Sequence, residues 1–274
     1  MKTNAWTWAA ALACLAIVAL AGCVKPFPSA SYLDKQRFLA VIADPLEAAP
    51  GEQISFSAVV ANKDGSRYAG PIAWAVVTGA MLREEGQANI DPNDVHRQTP
   101  DEPAFVWTVP SATDLRAKFG PPEKNGYLVT IAATAFANGD PNGAQISAFK
   151  LFVISDKPAA QRAINPTIQS LDVLSGGRSL APDADDRYEA PGDSVTLEAR
   201  PERDLGALTY HWFATDEDFS PDLDAKQKFA PGDHGAYSIY LVLRQSYFFR
   251  HDDSTSTRVA GEDWRRIEVV FGGH

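Results

Sequence analysis

The chain has 274 residues, 45% of them hydrophobic, with 19 prolines and 19 glycines, a balance that suits one or two globular β-rich domains and excludes a disordered chain. Its 25 basic residues against 35 acidic ones leave a net charge of −10, which argues against nucleic-acid binding, since that needs a basic stripe. Both cysteines, Cys14 and Cys23, precede residue 24, so the rest of the chain can form no disulfide and must be held by packed cores.

Residues 1–22 carry one positive charge, Lys2, then an apolar run of about 18 residues ending at Gly22, the pattern of an export signal. An uncleaved membrane-spanning helix is the competing reading of such a run, but Gly22, Pro26 and Pro28 break it where a processing site belongs. Leu20-Ala21-Gly22-Cys23 resembles the bacterial lipobox. The resemblance implies cleavage before Cys23, acyl chains on its sulfur and a lipid-anchored protein of the cell envelope, with Val24 after the cysteine implying sorting to the outer membrane. Two or three acyl chains hold a protein on a bilayer where one binds only marginally. Residues 23–35 form the tether. The stem from Val24 to Arg37 reaches at most about 50 Å when extended, which places the first domain next to the membrane and the second outward.

Two segments then repeat. APGEQISFSA at 49–58 and APGDSVTLEA at 190–199 each pair a Pro-Gly-acid turn with alternating apolar residues, Ile54, Phe56 and Ala58 in one and Val195, Leu197 and Ala199 in the other. A tryptophan strand follows each, with Trp74 and Trp212, then a tyrosine strand that aligns Tyr127, Val129 and Ile131 or Tyr237, Ile239, Leu241 and Leu243 on one face. Closing strands, ISAFKLFVI and WRRIEVVF, end both copies. This order resembles the immunoglobulin-like sandwich, and more closely the disulfide-free bacterial Ig-like and PKD-type repeats of exported proteins. The resemblance implies an all-β chain of two tandem immunoglobulin-like β-sandwiches, residues 36–156 and 167–273, after a lipoprotein signal peptide, with Trp74 and Trp212 in the strand-C place and Tyr127 and Tyr237 in the strand-F place. Residues 157–166, bounded by Pro158 and Pro166, read as a linker. Residues 32–157 hold 15 acids and 11 bases, residues 168–274 hold 20 and 11, so the second domain is the more acidic.

Catalytic and metal patterns are weak. Gly192-Asp193-Ser194 superficially resembles an esterase block, but the repeat has Gly51-Glu52-Gln53 there, so the position asks for a turn and a polar residue. Five histidines, His96, His211, His234, His251 and His274, lack the spacing of a zinc site. Acid clusters (Asp183, Asp185 and Asp186; Asp216, Asp218, Asp222 and Asp224; Asp91, Asp94 and Asp101) would suit calcium, yet Pro221 stands where an EF-hand loop from Asp216 needs glycine, and solvated turns are the favoured reading. No metal or cofactor is expected, and the expected role is binding or scaffolding rather than catalysis. The alternatives are an envelope hydrolase with a non-obvious site, or a passive spacer.

The repeats differ in two places. Domain one is longer between its tryptophan and tyrosine, which places an insertion within residues 79–104. Domain two has QSYFFRHDDSTSTRVAGED where domain one has a compact turn, which reads as a long connection over residues 245–263. Its Tyr247, Phe248, Phe249 and Arg250 have the composition of interface anchors, and they are the candidate contact residues for an envelope protein or glycan. The competing reading extends the tyrosine strand through Phe249 and buries one face of it.

Overall fold

The computed structural model describes residues 31–78, 89–98, 102, 104–137, 140, 143–203, 205–215, 219 and 223–272. The signal peptide, Cys23, Asp101, Asp216, Asp218, Asp222 and His274 lie outside the described residues. The first sandwich contains β1 (Arg37–Asp44), β2 (Glu47–Ala48), β3 (Gln53–Ala61), β4 (Ile72–Thr78), β5 (Asn89–Gln98), β6 (Phe105–Thr108), helix α1 (Ala112–Phe119), β7 (Tyr127–Phe136) and β8 (Gln145–Ile154). Its sheets run β1-β3-β6 and β2-β8-β7-β4-β5, with β2 parallel to β8. The turn before β3 closes as its sequence asks: Gly51 has φ 83°, and the Glu52 carboxylate accepts from the Ala49 N–H at 2.9 Å. Trp74 is fully buried among Phe56, Phe105 and Phe152, and its indole N–H donates to Gln98 Oε1 on β5 at 2.6 Å. The extra length between Trp74 and Tyr127 includes β5 and α1, the latter capped by Ser111 and seated by the buried Leu115.

The second sandwich contains β9 (Ile168–Ser175), β10 (Arg178–Ser179), β11 (Arg187–Ala190), β12 (Val195–Pro201), β13 (Leu208–Ala214), β14 (Lys226–Phe229), β15 (Gly235–Arg250) and β16 (Ser256–Phe271). Its sheets run β10-β9-β12-β14 and β11-β16-β15-β13, with β11 parallel to β16. Each domain thus sets the tryptophan strand beside the tyrosine strand, the closing strand beyond that, and a short parallel strand at the edge. Trp212 is fully buried with Phe219, Phe229 and Phe271 in the same core, and its N–H donates to the Asp224 carbonyl at 2.8 Å. Tyr237 and Tyr127 both send their hydroxyls back to upstream carbonyls, Asp233 at 2.7 Å and Gly120 at 3.2 Å.

The two sandwiches are fused along a seam. One apolar cluster joins Leu33, Leu39, Ala40, Val59 and Ala61 to Phe213, Tyr240 and Val242. A second joins Leu46 and Val153 to Phe249 and Val259. Burying one such large side chain is worth about 1.5–3 kcal/mol, so pulling the domains apart would expose these side chains at a cost of several such terms. The fit is close: Tyr240 donates to the Gly65 carbonyl at 2.8 Å, and a Cβ on Gly65, at φ 77°, would come within 2.6 Å of the Ser238 Cβ. Arg67 lies over the Trp264 ring, 5.0 Å from its centroid.

Two expectations change here. Residues 157–166 are not a free spacer: after a 3-10 turn at Ala159–Gln161, the Ala163 N–H donates to Glu47 at 2.8 Å, and Asn165 bridges the Ala43 carbonyl and the Glu262 N–H. The stem also leads elsewhere than expected. Ser31 and Leu33 exchange backbone hydrogen bonds with Ala214 on β13, and Ser31 Oγ accepts from Phe219 N at 3.1 Å, so the stem meets domain two before domain one begins. Length alone points to domain one, because the sequence gives no sign that three residues extend a sheet edge on the far domain.

Candidate functional site: two clefts along the long hairpin

Residues 245–263 are not a loop. β15 and β16 pair without a break from Gly235↔Phe271 to Arg250↔Ser256 and turn only over His251–Thr255, where Asp253 caps Thr255 and Ser254 takes φ 69°. The outer end of the hairpin has left its own sandwich and lies on domain one. Its tip is fixed there: one His251 nitrogen meets the Glu123 carboxylate at 2.9 Å and the other meets Thr257 Oγ1 at 2.7 Å. The Lys124 N–H donates to Asp252 at 2.8 Å, and Asn125 donates to the Arg250 carbonyl at 2.8 Å.

Strand alternation divides the four candidate residues into two pairs. Phe249 is 4% exposed in the cluster with Leu46, Val153 and Val259. Tyr247 is half-buried beside it; its hydroxyl donates to the Ile164 carbonyl at 2.7 Å, and burial raises its pKa above the ordinary value. These two are anchors inside the molecule rather than contacts for a partner. Phe248 is 67% exposed, and Arg250 is exposed with it on the opposite parity.

Two clefts flank this strip. One, about 450 Å³, is lined by all four candidates with Glu47, Asn125, Lys157 and Arg162. Burial pushes the Glu47 carboxyl up, but the Ala163 N–H, Ser155 and Lys157, which donate to it, together prevail and hold its pKa below the ordinary value. Arg162 pairs with Glu52 at 2.6 Å. The other cleft, about 380 Å³, lies between β1, β8 and the hairpin and is lined by Phe149, Lys150, His211, Arg244, Arg258 and Glu262 among others. At its base the buried Glu262 accepts from Lys150 at 2.9 Å, Arg244 at 2.6 Å and the Val41 N–H at 3.2 Å. Burial lowers the Lys150 pKa against the pull of Glu262, and Arg244 lowers it further. The clefts adjoin at a cross-strand pair, since Phe248 lines one and its partner Arg258 the other.

The cleft on β8 was missed in the sequence, although a signal was there: Lys150 occupies the parity of Ile146, Ala148, Phe152 and Ile154, and a charge among core positions demands a buried partner. Ser194 of the Gly-Asp-Ser triplet lies half-buried before β12. Among the described residues, no group of three or more His, Cys, Asp or Glu side chains is arranged to hold a metal ion. Nor is any described helix long and apolar enough to cross a membrane.

No family model matches the chain, and no curated protein matches it. Among solved structures, the dimeric latent PorU of Porphyromonas gingivalis aligns over 88% of this chain at 12% identity with a TM-score of 0.22, and the chain spans 24% of that one's length. A likeness this slight carries no inference.

Proposed function

We propose that the chain is a lipid-anchored cell-envelope protein, exported and acylated at Cys23 and held at the outer membrane, that acts as a binding or scaffolding module and carries out no reaction of its own. The observation that carries the binding role is the exposure of Phe248 and Arg250 on a strand whose neighbours, Tyr247 and Phe249, are locked into the seam. An exposed aromatic beside an arginine on a rigid support has the composition of a binding hot spot, and rigidity lowers the entropy lost on binding. The anchor rests on the lipobox residues Leu20–Cys23. Ser31 follows Cys23 by eight steps of the chain, a reach of about 29 Å at most, which keeps the body close to the bilayer.

A photo-crosslinking phenylalanine placed at position 248 in cells should yield a defined adduct that the same residue at the exposed position 106, on β6, does not. Equal labelling at both positions, or none at 248, refutes the binding role. Intact mass should show loss of residues 1–22 and added acyl mass; acylation that persists in Cys23→Ala refutes the anchor.

A further inference from the structure

We infer that the strip and its two clefts bind an acidic polysaccharide segment, one sugar ring or two in each cleft; this rests on the binding role proposed above and names its ligand. Charge is the first argument. In a chain of net charge −10, each cleft has three cations and one carboxylate in its lining: Lys150, Arg244 and Arg258 with Glu262 in one, and Lys157, Arg162 and Arg250 with Glu47 in the other. Lys150 and Arg244 are committed to Glu262, Lys157 to Glu47 and Arg162 to Glu52. Among the described residues Arg250 and Arg258 have no ion-pair partner, so both can take a carboxylate from outside.

The second argument is the aromatic surface. Phe149 is 58% exposed in one cleft and Phe248 67% exposed in the other. A large exposed ring in each, flanked by an arginine, offers a flat apolar face for a sugar ring and a planar fork for its carboxylate. Because Phe248 and Arg258 are cross-strand partners, one chain can continue from cleft to cleft.

Shape is the third argument. The volumes, about 380 and 450 Å³, are those of small-ligand sites. An exposed ring and an arginine without an ion-pair partner among the described residues are what each cleft presents, and an acidic glycan supplies a sugar face for the one and a carboxylate for the other.

The test uses the full chain in mild detergent at low salt, titrated calorimetrically with tetragalacturonate, a neutral tetrasaccharide and a thymidine tetranucleotide. Saturable uronate binding at least tenfold tighter than either of the others supports the inference. So does a loss of roughly tenfold in Arg258→Ala and in Arg250→Ala, the scale of one charge-assisted hydrogen bond, with melting unchanged and a several-fold loss in Phe248→Ala. Neutral sugar binding as tightly, oligothymidine binding as tightly, no saturable uronate binding, or arginine variants without effect each overturn it. The two proposals fail separately: a protein adduct at position 248 without uronate binding keeps the binding module and removes the glycan.

Discussion

The two closing hairpins occupy the same place in their sandwiches and do different work. In domain one, β7 and β8 are ten residues each and pair in full from Tyr127↔Ile154 to Phe136↔Gln145, the length their own core requires. In domain two, β15 and β16 are sixteen residues each. Six further residues at about 3.4 Å apiece add roughly 20 Å, and that added length is where Phe249 and Val259 meet Leu46 and Val153. A strand that outruns its own sandwich has another surface to cover. The short hairpin stays within the length of its own sandwich and offers Val153 and Lys150 from its flank, while the long one reaches across to meet them.

The largest effect that could break this comparison comes from the cores. Trp74→Ala and Trp212→Ala should each cost about 3–5 kcal/mol. Because the seam couples the domains, calorimetry of either variant should show one common transition moved down; two separate transitions, with only one displaced, would mean that the long hairpin does not join them. Next, Glu262→Ala leaves Lys150 buried without its partner and should cost about 3 kcal/mol in chemical denaturation. A loss below about 1 kcal/mol would show that water already reaches the pair.

The parity of the hairpin gives a smaller and sharper contrast. Phe249→Ala should cost about 2 kcal/mol, less than a sandwich-core phenylalanine because the outer hairpin can settle onto the gap, while Phe248→Ala should stay within about 0.5 kcal/mol. Reversed values would place the strand one residue out of register. The smallest effect lies in acid. The Glu47 pKa is held below its ordinary 4.5, so its contribution is complete above pH 4.5 and is lost as pH falls through the lower folded value, where the unfolded chain takes up the proton first. Glu47→Gln should therefore flatten the fall in melting temperature below pH 4.5, and an unchanged slope would show that Glu47 does not hold the connecting segment.

Much of the architecture could be read because each strand pattern reports its own domain. Trp74, Trp212, Tyr127 and Tyr237 mark the two sandwiches through alternation that depends only on which face is dry. The seam follows a different rule. In β15, Tyr237 to Leu243 are buried on both parities, and Tyr240 and Val242, on the second face, face domain one. A strand apolar on both faces is a strand covered on both. The alternation that identifies the core face directs attention away from the other. Tyr247 to Phe249 were hard to place for a related reason: a single sandwich needs no strand that long, so the surplus read as loop. Phe248 and Arg250 keep their place as candidates on geometry alone, while Phe249 and Tyr247 pass to the seam.

The joint between residues 31–33 and β13 also has a mechanical meaning. The backbone bonds between Ser31, Leu33 and Ala214 stand between any pull on the N-terminal segment and the first strand of domain one. Tension from upstream would load this short parallel contact first, passing into the sheet of domain two at Ala214 and through β13 to the adjoining β15. The more acidic domain, second in the chain, would be first under load, and β1 would feel the pull only after the contact at Ala214 had given way.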